Sequence, residues 1–315
     1  MTRRQALVTA ASCVTLTRCS LLSEHPAPAR VSVVRAAYTQ GLYETVRRLL
    51  VEHRIDVRGK RVVIKPNLVE FDPGTTINTH PMLVHATLEG FRALGASEVR
   101  IAEGPGHRRI TLDLADAAGY FETIPHFEDN FTDLNLDDVS QVSLRGSFSR
   151  LNSLYLPNTA LAADLVVSLP KMKTHHWVGA TLSMKNFFGL VPGGIYGWPK
   201  NVLHWAGINE CIADLHAAFP RHFAIVDGVV GMEGNGPIQG NPKPVGVLVA
   251  GMDMTAVDAT CCRIMKINPS MIHYLRLAAG STRLAEEGIR QIGEPVKSVQ
   301  TAFNLIESFQ NIRLS

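Results

Sequence analysis

Short runs of consecutive apolar residues recur along the chain, and stretches with apolar positions three to four apart lie between them. The runs Val31–Val34, Arg61–Ile64, Glu98–Ala102, Ala163–Leu169, Phe223–Val226 and Val245–Val249 read as strands, because β-branched side chains fit a pleated surface buried on both faces. Gly41–His53, Pro81–Leu94, Leu112–Gly119, Ala206–Phe219 and Thr255–Lys266 carry helical spacing. Thr79 or His80 stands where the second of these would be capped, and Gly95 where it would stop. Leu284–Ile292 and Val299–Phe309 are read as two further, peripheral helices.

Alternation of strand and helix predicts an α/β fold, with a mainly parallel sheet covered by helices on both faces. Residues 125–160 break the rhythm: they are acidic, then polar and alternating, and are expected to form a small β insertion. The division expected is a leader and spacer over 1–29, one α/β domain over 30–275 and a C-terminal helical extension over 276–315.

Ligands of open α/β sheets bind beyond the carboxyl ends of the strands. Five predicted strand ends carry ionisable or amide groups here. Lys65 and Asn67 follow the second strand, Glu103 and His107 the third, and Lys171, Lys173, His175 and His176 the fourth. Asp227 and Glu233 follow the fifth, and Asp253, with Asp258 beyond it, the sixth. Each alone reads as a solvated loop charge. Together, beside glycines and prolines that shape the backbone, they read as one edge of a site.

The densest stretch is Lys171–Asn186, where Lys171, Lys173, Lys185, His175, His176 and Asn186 alternate with Trp177, and Phe187 and Phe188 follow. Lysines beside apolar groups lose charge by desolvation and become bases or nucleophiles; as cations they hold carboxylate or phosphate. Histidine exchanges protons near neutrality or ligates a metal. His175, Lys185 and Lys173 are therefore the candidate catalytic groups, and Lys65, Asn67, Lys171, Asn186 and His204 the candidate ligand contacts. Glu103, Asp227, Glu233, Asp253 and Asp258 are the candidates to hold a divalent metal or to orient the lysines. Gly231–Gly240 is glycine-rich but precedes a strand, so it reads as a turn carrying Glu233 and not as a dinucleotide loop.

Composition narrows this picture. Arg3, Arg4 and Arg18 stand in a first segment without acids; removing them leaves 31 − 3 = 28 basic against 28 acidic side chains. A neutral mature chain does not fit nucleic-acid binding, which needs dense Lys and Arg. Arg3-Arg4, the apolar run Ala6–Leu16 and a polar spacer resemble a twin-arginine export signal. The expected location is periplasmic or at the envelope, with membrane contact only through that signal or through a lipid on Cys13 or Cys19. Cys211, Cys261 and Cys262 form no C-x-x-C pair, so no iron–sulfur cluster is expected.

Several stretches together resemble the bacterial and archaeal family known as domain of unknown function 362. They are Lys65-Pro-Asn-Leu68, Thr79-His-Pro81, Glu103-Gly104, Asp164-Leu-Val-Val-Ser-Leu-Pro-Lys-Met-Lys-Thr-His175 and Met184-Lys-Asn-Phe-Phe-Gly189, followed by Val226-Asp-Gly228, Gly231-Met-Glu-Gly-Asn-Gly-Pro237 and Met252-Asp-Met-Thr-Ala-Val-Asp258. A shorter resemblance links His175–Gly194 to nickel-pincer lactate racemases. In those a histidine stands ten positions before the lysine that tethers the cofactor, as His175 does before Lys185, and Pro192-Gly193 follows. That resemblance implies an acid/base role for His175, a tether or charge partner in Lys185 and a metal ligand in His204. The expected function is an enzyme acting on a small anionic molecule, a carboxylate or phosphate, with a divalent metal as an open question. The alternative is an exported binding protein for an anion or metal.

Overall fold

The computed structural model describes residues 27–314. The paired arginines, the apolar run and Cys13 and Cys19 lie outside the described residues. Twelve strands are described: β1 (Ala29–Arg35), β2 (Arg61–Pro66), β3 (Glu98–Glu103), β4 (Phe131–Asp133), β5 (Val139–Ser143), β6 (Ser153–Pro157), β7 (Leu165–Leu169), β8 (Lys171–His175), β9 (Gly179–Thr181), β10 (His222–Asn235), β11 (Gln239–Gly251) and β12 (Ile289–Gly293). Ten of them form one sheet, ordered β12-β1-β11-β10-β7-β2-β3-β4, with β8 and β9 attached beyond β10. The pairs β10–β7, β7–β2, β2–β3 and β3–β4 are parallel, whereas β11 runs antiparallel to both β1 and β10. The sheet is thus mixed and mainly parallel, as the alternation of elements predicts.

Successive side chains of a strand point to opposite faces, and the buried residues divide accordingly. Val62, Ile64, Val99, Ile101, Leu165 and Val167 pack with the helices Gly41–Glu52 and Pro81–Ala93. Val63, Val166, Ala224, Val226, Val247 and Val249 pack on the other face, with the helices Ile208–Ala218, Met254–Ile264 and His273–Leu284. The helix Pro81–Ala93 starts as expected: His80 is extended and its ring nitrogen accepts from Met82 N–H at 3.2 Å. None of the described helices is long and apolar enough to cross a membrane.

Three readings need correction. The residues after Leu169 are not a loop. Pro170 ends β7, and β8 continues alongside β10, pairing Asp227 with Lys171, while β9 returns antiparallel and pairs Lys173 with Thr181. All five residues of β8 are buried, although three of them are Lys or His. Their burial rests on polar partners, so no apolar pattern marked the strand. Gly231–Gly240 is not mainly turn either: β10 and β11 stay paired from Gly231–Lys243 out to Asn235–Gln239, leaving Gly236–Ile238 as the tip. Finally, the helices expected over 284–292 and 299–309 are absent. Ile289–Gly293 is a strand parallel to β1, residues 300–306 have no regular structure, and Glu307–Ile312 is a 3-10 turn. Gly288 and Gly293 bracket a segment too short for a helix, and its half-buried Ile289 and Ile292 fit an edge strand.

The expected β insertion is present as the antiparallel pair β5–β6, while β4, from the same region, joins the edge of the main sheet. The three cysteines described are free and buried.

Candidate functional site

Two buried ion pairs stand at the ends of the parallel strands. Lys65, closing β2, donates to Glu103 Oε2 at 2.7 Å, to Pro66 O at 2.8 Å and to Asn186 Oδ1 at 3.1 Å. Glu103, closing β3, also accepts from the backbone N–H of Leu68 and of Gly104, both at 3.0 Å. Both side chains are 1% exposed, so neither charge has water to fall back on. Gly189 lies against this pair: a Cβ there would overlap the Glu103 carboxylate and the Lys65 amine. In the second pair Lys171 Nζ donates to Asp227 Oδ2 at 2.7 Å and to Tyr38 Oη at 2.9 Å. Tyr38 in turn donates to Asp227 Oδ1 at 2.7 Å, and His80 N–H donates to Oδ2 at 3.0 Å. The Tyr38 and His80 rings stack at 3.7 Å.

Beside the first pair opens a cavity of about 330 Å³. Four lysines line it, Lys65, Lys173, Lys185 and Lys200, together with four histidines, His107, His175, His176 and His204. Among the described residues Glu103 is its one lining carboxylate, and it is already engaged by Lys65. Trp177, Phe188, Pro199 and Ile238 supply apolar wall, and the β10–β11 tip closes one side.

Burial and mutual repulsion act on these cations together. Lys173, whose Nζ among the described residues reaches only carbonyls, Ile77 O at 3.0 Å and Pro237 O at 3.2 Å, is pushed well below the usual lysine range by burial and then by Lys171 and Lys185. Lys200 donates to Gly104 O at 2.6 Å and Phe188 O at 2.9 Å, and burial brings it down to about 7. Lys185 is also brought down to about 7, by burial and by Lys65. Its Nζ stands 3.8 Å from the centroid of the Phe188 ring, and among the described residues no carbonyl or carboxylate accepts from it. His175 is held well below its usual value by burial, then by Lys185 and His176. Its Nδ1 accepts from Trp177 N–H at 3.0 Å, which leaves Nε2 to carry the ring proton in the neutral form. His204 makes its Nδ1 contact with Lys200 O at 3.0 Å. Two polar atoms on the wall, Asn67 Oδ1 and Thr181 Oγ1, are buried without a hydrogen-bond partner. Such atoms are costly to leave unmet.

The residues singled out from sequence distribute as follows. Lys65, Asn67, Lys173, His175, Lys185, Asn186 and His204 all line the cavity. Lys171 does not; it belongs to the neighbouring Asp227 cluster. The five carboxylates proposed to hold a metal or to orient the lysines are dispersed. Glu103 and Asp227 are taken by lysines. Glu233 accepts from Asn304 N–H and Nδ2 and pairs with Lys243. Asp253 caps the helix Met254–Ile264 through Thr255 and Ala256 N–H. Asp258 accepts from Ser183 N–H, Ser183 Oγ and Met184 N–H, and so fixes the turn Ser183–Asn186 that carries Lys185. Burial raises Asp258 to about 7. Among the described residues no group of three His, Cys, Asp or Glu side chains is arranged to hold a metal.

Sequence reasoning did not pick out Lys200, Thr181 and Tyr38, and it read His80 as a helix start and not as part of a site. Lys200 sits in a left-handed backbone conformation, and its amine lines the cavity together with Lys65 and Lys185. No local pattern signals that arrangement.

The family described as Domain of unknown function (DUF362) matches residues 62–263. A thylakoid-associated protein of Synechocystis sp. is 30% identical over 228 residues, 68% of this chain; the chain spans 65% of that relative's length. Two solved structures are similar at lower levels. The lactate racemase apoprotein from Thermoanaerobacterium thermosaccharolyticum is 14% identical with a TM-score of 0.48, covering 76% of this chain and 57% of that one. A Thermotoga maritima protein is 14% identical with a TM-score of 0.36, covering 70% and 57%. With more than half of its length matched, and with the matched stretch holding Lys65, Glu103, Lys173, His175, Lys185 and Lys200, the chain belongs to the DUF362 family.

Proposed function

We propose that the protein is an enzyme whose cavity holds a small organic anion, a carboxylate or a phosphate, with Lys185 and His175 as the reacting groups. One observation carries this reading: four lysines wall one small cavity whose single carboxylate is already neutralised by one of them. Crowded cations depress one another's proton affinity, and an anion relieves both the repulsion and the lost hydration. The unpartnered Thr181 Oγ1 can donate to such an anion, while Asn67 Oδ1 can accept only from a hydroxyl or N–H elsewhere on the ligand.

A divalent metal held by protein side chains does not fit. The carboxylates proposed for it are engaged elsewhere, and the wall is cationic. A nickel-pincer group, which brings most of its own donors, finds two residues that suit it: Lys185 as an amine to attach to and His204 as one imidazole ligand. Such a group would supply redox chemistry at a 2-hydroxy acid.

The test uses proton linkage. Lys185 and Lys200 stand at about 7 without ligand, and a bound anion raises both. Binding should therefore take up protons at pH 7–8, and affinity should fall as pH rises, by up to about tenfold per pH unit for each proton taken up. Titration calorimetry with small carboxylates and inorganic phosphate, in buffers of different ionisation enthalpy, reads both. Binding without proton uptake, or no binding, defeats the proposal.

Export is part of the same proposal and rests on Arg3, Arg4 and the run Ala6–Leu16. Lysine at both arginines is expected to leave the protein in the cytoplasm on cell fractionation; unchanged distribution contradicts it.

A further inference from the structure

We infer that Lys185 captures the carbonyl carbon of a small 2-oxo acid as an imine, a step that rests on the anion-binding reading above. Three of the four cavity lysines are spoken for. Lys65 donates to Glu103, Pro66 O and Asn186. Lys173 and Lys200 each donate to two backbone carbonyls. Such amines are held in place as donors and are poorly placed to attack a carbon. Lys185 differs. Its amine lies over the Phe188 ring at 3.8 Å, with no acceptor among the described residues. It is partly open to the cavity.

A lysine whose amine is brought down to about 7 is in large part neutral at physiological pH, as a nucleophile must be. Lys65, whose charge depresses it, and Lys173 are the neighbouring amines able to attract a carboxylate. The reacting carbon must sit at Lys185 while the anionic group sits at Lys65 or Lys173, inside about 330 Å³. A carbonyl directly bonded to a carboxylate meets both demands. A long or bulky ligand does not.

The step balances without a further reactant. The neutral amine adds to the carbonyl carbon, forming the C–N bond and a carbinolamine. The carbinolamine then expels its hydroxyl as water, and both hydrogens of the amine leave with the carbonyl oxygen. His175, with Nδ1 occupied by Trp177 N–H, offers Nε2–H as a hydrogen-bond donor to that oxygen.

The full-length protein should be incubated with pyruvate, reduced with cyanoborohydride and examined by intact mass and peptide mapping. One reduced adduct per chain, mapped to Lys185 in the unaltered protein, is expected. Lys185→Arg, with its fold checked by circular dichroism, should lose it. Three results overturn the inference: no adduct, adducts spread over exposed lysines such as Lys297, or native protein in which Lys185 already carries another group. The unaltered protein supplies the deciding map even if the variant misfolds. Proton-linked pyruvate binding without an adduct removes the imine and leaves the anion pocket standing. Absence of binding removes both.

Discussion

Replacing Asp227 with alanine is expected to lower the stability of the fold by about 3–5 kcal/mol, the range seen when one partner of a buried ion pair is removed. Asp227 is fully buried, and four donors converge on it: Lys171 Nζ, Tyr38 Oη, His80 N–H and Val229 N–H. The alanine variant leaves all four without their acceptor, and Lys171, 1% exposed, without its counter-charge. Burial already lowers the proton affinity of Lys171, and Asp227 opposes that shift. Without Asp227 the folded state releases the lysine proton while the unfolded chain keeps it. Stability of the variant must then rise with pH between neutrality and the ordinary lysine range, so its deficit shrinks as pH increases. Urea unfolding at pH 7 and at pH 9 measures both effects. The double variant Asp227→Leu with Lys171→Met should recover much of the loss, because it removes the charge along with its partner. A cost under about 1 kcal/mol for Asp227→Ala would mean that the pair contributes little.

Why the fold was legible, and the site only partly so, follows from what each segment buries. Val62-Val63-Ile64 and Val99 to Ala102 are buried by their own apolarity, so the strands and the polar groups after them can be read directly. That placed Lys65, Asn67 and Glu103 at one edge of the sheet. β8 is buried by ion pairs and carbonyl contacts, and a strand of that kind has no apolar signature. The roles of the carboxylates are less legible for a related reason. A charge after a strand marks the edge of the sheet, but its partner decides its role, and the partners lie far along the chain. Glu233 meets Asn304, Asp258 meets Ser183, and Asp227 meets Tyr38. Lys200 reaches the cavity only because its segment folds back over Gly104 and Phe188.

Glu103 tests the fold and the cavity together, with effects of opposite sign. Glu103→Gln removes the counter-charge of a lysine that is 1% exposed, and it places an amide where Lys65 Nζ, Leu68 N–H and Gly104 N–H all donate. At least one of these donors then faces an NH₂ group, so a cost of about 3–5 kcal/mol is expected here too. The same change deletes the cavity's one lining carboxylate. An incoming anion now meets Lys65 without competition and supplies the charge that the fold has lost. Small carboxylates or phosphate should therefore bind the variant more tightly than the parent. Each tenfold gain in affinity should return about 1.4 kcal/mol more of stability at saturating anion. Thermal unfolding with and without added anion reads the two terms separately: a lower midpoint in plain buffer, and a larger rise on adding the anion. If the variant is destabilised but gains no more from the anion than the parent does, Lys65 is a strut of the scaffold, and the cationic character of the cavity rests on Lys173, Lys185 and Lys200 alone.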